Sequence, residues 1–157
     1  LSANVVSVRP DKKKFASAFL LFPFIRIYNA HNGQLKTEIR FENNQQFPEG
    51  FIMGSPTNHE LSMIMNNYRA VKSTNNFIYA LYVGKTNQDL SYDWNDLAAF
   101  GNHSNEIHVF SWEGEPVKRI LLDRAIFSFD VTHDDRTLIA SSIDSMDDLF
   151  KYSLAWD

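Results

Sequence analysis

The sequence predicts an all-β protein assembled from repeated, four-stranded antiparallel sheets. Three observations carry that expectation. Apolar and polar residues alternate with period two through much of the chain, as in strands with one covered face. Aromatic residues make up 14% of it, with 13 Phe, 6 Tyr and 3 Trp, a composition suited to pleated, half-buried surfaces. Runs of strand, tight turn and strand also recur in the same order.

The first set opens with Asn4–Arg9, closed by the turn Pro10-Asp11-Lys12-Lys13. Phe15–Phe22 follows, almost wholly apolar and therefore expected to be buried on both faces. Ile25–Tyr28 alternates, Asn29–Gln34 turns through Gly33, and Leu35–Phe41 places Lys36, Glu38 and Arg40 on a wet face. The second set comprises Tyr68–Lys72, Phe77–Val83, Glu106–Trp112 and Val117–Leu122, with turns at Ser73–Asn76 and Glu113–Pro116. The third comprises Ile126–Val131, Thr137–Ser142 and Leu149–Leu154, its first turn formed by Thr132–Asp135.

Superposing Phe15-Ala16-Ser17-Ala18 on Phe77-Ile78-Tyr79-Ala80 and on Leu138-Ile139-Ala140-Ser141 gives offsets of 62 (77 − 15) and 61 (138 − 77). Ile25–Tyr28 likewise falls on Ile107–Phe110, each followed by a Gly-bearing turn and an outer strand. Repeated four-stranded units with short turns are the mark of a β-propeller, each unit a blade. An ordinary β-sandwich of meandering strands is the alternative. The expected organisation is a single propeller fragment over residues 1–157. Its blades cover about 1–41, 60–123 and 124–157, and its long insertions cover 42–67 and 84–105. Four, four and three strands make eleven, too few for a closed ring. The chain, which begins at Leu1 rather than Met, is read as a piece of a longer protein, or as one half of a homodimer that closes the ring.

Composition narrows the function. A net charge of -4 and two small, separate basic clusters, Lys12–Lys14 and Lys118-Arg119, argue against a nucleic-acid partner. Cysteine is absent, which removes disulfides, thiolate nucleophiles and Cys-type zinc sites. No run approaches the ~18 apolar residues of a membrane-crossing helix.

Asn76–Lys85 (NFIYALYVGK), the hairpin Ile107–Arg119 (IHVFSWEGEPVKR) and Leu122-Asp123-Arg124 together resemble the TolB-like six-bladed propeller family. The resemblance covers roughly Tyr68–Leu154, with residues 1–41 fitting as a preceding blade. It implies a six-bladed ring in the full-length protein. It also implies export to the periplasm or cell surface as an outer-membrane lipoprotein, as in Gram-negative gut anaerobes. The matching motifs govern packing and turns, so they carry over no catalytic residue and no cofactor.

In a four-stranded antiparallel blade, the second-to-third turn and the blade-to-blade connection lie at the same end. Both insertions belong to that group and should project from one rim, where loops on a rigid scaffold commonly bind ligands. Asp93–Gly101 reads as a short capped helix. Around it, Tyr92, Trp94 and Phe100 either form an aromatic platform for a carbohydrate or protein ligand or pack the loop down. His59 and His103 fall on the two insertions and are the one plausible histidine pair. His31 and His133 are expected in turns, and His108 on the wet side of a strand. No HExxH, EF-hand or G-x-S-x-G pattern occurs, so no metal centre or hydrolase nucleophile is assigned. Asp134, Asp135, Asp144, Asp147 and Asp148 read as solvated turn acids. The main expectation is a non-catalytic binding module. The alternative is a metal-dependent hydrolase or lactonase with Asp11, Asn66, Asn67 and Asp130 near its axis.

Overall fold

A computed structural model describes residues 4–40, 57–90, 104–142 and 145–156, excepting the side chains of 145–148. Its eleven strands lie in three antiparallel sheets. The first holds β1 (Asn4–Val8), β2 (Lys14–Phe19), β3 (Phe24–Asn29) and β4 (Leu35–Arg40) in sequential order. The second holds β5 (Met65–Ser73), β6 (Phe77–Thr86), β7 (Glu106–Ser111) and β8 (Pro116–Leu121), again in order. The third holds β9 (Ser128–Val131), β10 (Thr137–Ser142) and β11 (Ser145–Ser153), with β10 central. The fold is a partial β-propeller, and the sheets are its blades.

The first strand of each blade is innermost. The β1 and β5 strands meet through Ser7 Oγ and Ser73 Oγ at 2.8 Å, and Ser73 Oγ also donates to the Val8 carbonyl at 3.2 Å. Each blade covers one face of the next. The core accordingly divides into two slabs rather than one shared interior. Ala16, Ala18, Ile25, Ile27 and Ile39 of the first blade pack on Ile78, Ala80, Phe110 and Trp112 of the second. Tyr79, Leu81, Ile107 and Val109 point the opposite way, onto Phe129, Leu138 and Ala140 of the third. The β6 strand is thus apolar on both faces because both are covered. Ile78, Tyr79, Ala80 and Leu81 are all 0% exposed, and burial of this kind contributes about 25 cal/mol per Å2 of apolar surface.

The hairpins correct the superposition of the second strands. Arg9 N bonds to Lys14 O, Thr74 N to Phe77 O, and Thr132 N to Thr137 O, so these three pairs are equivalent. The next pairs out are Val8 with Phe15, Ser73 with Ile78, and Val131 with Leu138. Phe15 therefore corresponds to Ile78 and Leu138, not to Phe77. The expected alignment slips by one residue at β6. The third strands need no such correction. Tyr28 and Phe110 both oppose these equivalent residues, so Ile25–Tyr28 does fall on Ile107–Phe110. The β2 strand also ends at Phe19, short of the expected Phe22. Phe15 and Phe19 are only half-buried, because among the described residues nothing covers the outer face of the first blade. Val6 and Val8 on that face are each 53% exposed.

Two first-to-second turns are built alike. Asp11 Oδ1 accepts from Lys13 N at 2.9 Å, and Asp134 Oδ1 accepts from Arg136 N at 3.1 Å. Among the described residues, a short helix, α1 (Asn58–Ser62), precedes β5. Its Thr57 and Glu60 form a reciprocal capping box, which satisfies amides that a helix start leaves open.

Candidate functional site

The described ends of the two insertions meet at one rim. Asn87 N donates to Ile64 O at 2.9 Å, Gln88 N to Ser62 O at 2.8 Å, and Asn87 Nδ2 to Leu61 O at 2.8 Å. Backbone groups of the segment entering β5 are thereby satisfied by the segment leaving β6. Asn66 adds a side-chain bond to Asn87 Oδ1 at 2.7 Å. Where the second insertion returns, the Ser104 hydroxyl donates to Tyr82 O, and Asn105 Nδ2 donates to Leu122 O at 3.0 Å. His59 is exposed in the first turn of α1. Tyr92, Trp94, Phe100 and His103 lie outside the described residues, as does the expected helix over Asp93–Gly101.

Just beneath this rim, a polar ladder crosses the second blade on the face turned toward the first. Tyr68 on β5 is fully buried, and its hydroxyl lies 2.8 Å from His108 Nδ1 on β7. His108 Nε2 is 2.7 Å from Glu106 Oε1, and Glu106 receives Arg119 of β8 through Nε at 2.5 Å and Nη2 at 2.8 Å. A carboxylate only accepts, so the Nε2 proton goes to Glu106. In the neutral ring, Nδ1 then accepts from Tyr68. Tyr82 stacks on His108 with centroids 4.6 Å apart and an interplanar angle of 22°. Gly84, at φ 63°, stands against this ring: a Cβ there would come within 2.5 Å of Tyr82 Cε1.

This corrects the expectation for His108. It lies on a covered face, its side chain 18% exposed, because an interior blade has no wet side. Both ring nitrogens are engaged, so the imidazole orients its neighbours rather than presenting a free base. Burial works against the Glu106 carboxylate, but the bonds from Arg119 and His108 outweigh it and hold its pKa below the usual range. Burial raises the Tyr68 hydroxyl well above the ordinary phenol range, helped by nearby Tyr82 and Glu106.

The residues considered for an axial metal do not converge. Asp11 caps its own turn and pairs with Arg9 at 3.7 Å, while Asp130 Oδ1 accepts from Val131 N. Asn66 and Asn67 are buried at the opposite end of the inner strands, where Asn67 N donates to Leu20 O at 2.6 Å. Among the described residues, no three His, Asp or Glu side chains cluster as metal ligands would. Asp135 is also misread as a solvated turn acid. It is 3% exposed, accepting from Tyr79 Oη and Asn76 Nδ2 at 2.7 Å each. A shallow pocket of about 350 Å3 lies along β7 and β8, bounded by His108, Phe110, Pro116, Val117 and Arg119.

Comparison with known proteins agrees with this architecture. The chain belongs to the TolB-like 6-blade propeller-like family, whose profile matches residues 9–134. Among solved structures, it is similar to Kuenenia stuttgartiensis hydrazine synthase. The TM-score is 0.52 at 9% identity, covering 88% of this chain and 28% of that one. It is also similar to the RRP9 WD40 repeats, with TM-score 0.49 and 11% identity, covering 87% of this chain and 29% of that one. The chain spans less than a third of either protein, and the first likeness, at 9% identity, speaks to the fold alone. No curated protein matches it.

Proposed function

We propose that this chain is a stretch of a six-bladed ring in an exported lipoprotein of the periplasm or cell surface, where it acts as a non-catalytic binding module. It takes a protein or carbohydrate ligand on the rim that carries both insertions, with Tyr92, Trp94, His103 and His59 as contact residues. The observation that carries this reading is the bonding of Asn87 and Gln88 to Ser62, Leu61 and Ile64, which gathers both insertions at one end of a rigid scaffold. The cluster of Tyr68, Tyr82 and His108 below it supports the same rim as a stiff platform. No nucleic acid, cofactor or metal is part of the reading.

The test is a screen of an oligosaccharide array and a random peptide library against the chain, followed by titration of the best binder. Replacing Tyr92 and Trp94 together by Ala, and His59 by Ala separately, should weaken that binder by roughly tenfold or more, as aromatic anchors do. The melting temperature should hold. A binder indifferent to all three changes would move the site elsewhere. The alternative is a homodimer in which a second copy closes the ring, and light scattering that gives a monomer would remove that alternative.

A further inference from the structure

The dipeptide Asn-Gly occurs once in the chain, at Asn32-Gly33, in the turn between β3 and β4. His31, Asn32, Gly33 and Gln34 are all exposed. The turn joins the two outer strands of its blade, the part of a propeller farthest from the axis, so further blades leave it open to water. Asn29 N donates to Gln34 O and Gly33 N to Asn29 O, both at 2.9 Å, and Asn32 Oδ1 accepts from Gln34 N at 3.0 Å. Gly33 sits at φ 68°, and a Cβ built on it would meet nothing within 4 Å. No side chain shields the main-chain nitrogen that follows Asn32.

We propose that Asn32 is a self-modification site: it loses its side-chain amide to the following main-chain nitrogen, and the isoaspartyl product releases the fourth strand of the first blade. Gly33 N bonds to Asn32 Cγ while its proton passes to solvent base. The Cγ–Nδ2 bond breaks, Nδ2 takes up a proton and leaves as ammonia, and a five-membered succinimide closes. Water then opens that ring. Opening at the Asn32 main-chain carbonyl leaves the chain running through Cβ and Cγ, an isoaspartate, whereas opening at Cγ leaves an ordinary aspartate. One water is consumed and one ammonia released, with no oxidant or reductant. The turn assists the attack. Negative charge develops on Asn32 Oδ1, and the Gln34 N–H is already aimed at that atom, as an oxyanion donor is. Gly33 N must leave Asn29 O, but a lone bond in an exposed turn opens at small cost. Every other asparagine precedes a residue that has a Cβ, and Asn66 and Asn67 are buried besides. The isoaspartyl link adds a methylene to the main chain inside the turn. The Asn29–Gln34 closure then fails, and β4 loses its anchor on β3.

The experiment incubates the chain of residues 1–157 in mildly alkaline buffer and reads isoaspartate by enzymatic methyl esterification and peptide mapping. Residue 32 should convert at roughly tenfold the rate of any other asparagine, since only there does the attacking nitrogen belong to glycine. Asn32→Gln should lose the signal and, being an exposed change, keep the parent's melting temperature. The isoaspartyl fraction is then separated by ion exchange and its hydrogen exchange compared with the parent's. Amides of Leu35–Ile39 protected in the parent should exchange roughly tenfold faster, as a released strand does. Asn32→Asp, which keeps the ordinary main chain, should match the parent. No isoaspartate at residue 32, or an equal rate at another asparagine, would overturn the site. Unchanged exchange along β4 in the isoaspartyl fraction would overturn the release.

Discussion

Lys12 and Asp135 stand at the same point of two hairpin turns, each with φ of 60°, in the left-handed region that L-residues avoid. Each follows the aspartate that caps its turn. Yet the two side chains serve the fold differently. Lys12 is exposed, whereas Asp135 ties the third blade to Tyr79 and Asn76 of the second.

Glycine should therefore have opposite effects at the two sites. Lys12→Gly relieves the backbone and is expected to raise the free energy of unfolding by roughly 0.5–1 kcal/mol. Asp135→Gly relieves the same backbone but leaves a buried tyrosine hydroxyl without its acceptor, and should lower stability by about 2 kcal/mol. Urea unfolding of both variants decides the matter. Equal effects would mean that Asp135 holds no blade contact.

Gly114 of the second blade lies close against the outer strand of the first. Its φ is 95°, and a Cβ built there would lie 2.5 Å from Thr37 Cγ2. Gly114→Ala should destabilise by about 1–3 kcal/mol through overpacking and backbone strain together. Thr37→Ser removes the clashing methyl, so the double variant should recover part of the loss in a thermodynamic cycle. Strict additivity would show that the close approach does not persist in solution.

Acid should loosen the polar ladder. The folded-state pKa of Glu106 lies below its unfolded value, because Arg119 and His108 favour the charged form more than burial opposes it. The stabilisation is then complete above the unfolded value, about 4.3, and is lost as pH falls through the folded one. Glu106→Gln should be less stable than the parent at pH 7, with the gap closing below pH 4. Urea midpoints measured from pH 3 to pH 7 give the comparison. A constant gap would mean that the ladder is not ionised as described.

Alkali should reveal a second class of phenol. Burial raises Tyr68 and Tyr79 far above the ordinary phenol range, and Tyr79 is raised further by donating to Asp135. For an acid whose folded pKa is raised, the stabilisation is full below the unfolded value, near 10, and is lost as pH climbs past it. The phenolate absorbance of the 6 tyrosines should thus rise in two stages, the second coinciding with loss of the far-ultraviolet strand signal. A single stage that precedes unfolding would contradict the burial of these two rings.

Alternation and turn residues locate all eleven strands of the described residues, because each hairpin carries its own chemistry: Pro-Asp before Lys12, Asn-Gly at Gly33, Glu-Gly at Gly114. The phase of β6 was not legible. Ile78 to Leu81 is apolar without a break, so the sequence offers no wet residue to say which side chain faces which blade. A shared Phe and Ala suggested the wrong phase, and only the Thr74–Phe77 bond fixes the right one. His108 is misjudged for the opposite reason, since Ile107 and Val109 beside it imitate a half-exposed strand. The α1 helix did have a signal, the Thr57 to Glu60 capping spacing, hidden within an insertion read only as a loop. At the rim, the bonds between Asn87 and residues 61 and 64 depend on strand geometry that places distant segments side by side, and no local pattern announces them.

The two-sided burial of β6 sets an arithmetic for how this strand can change. Ile78 and Ala80 answer to one neighbouring sheet, Tyr79 and Leu81 to the other. Losing or gaining one residue inside the strand would send the bulky tyrosine into the space beside Ala16 and Ala18 and leave isoleucine and alanine to fill the opposite gap. Two residues gained or lost would return the side chains beyond the change to their own faces. Lineages descending from this sequence should therefore vary the length of that segment in even steps.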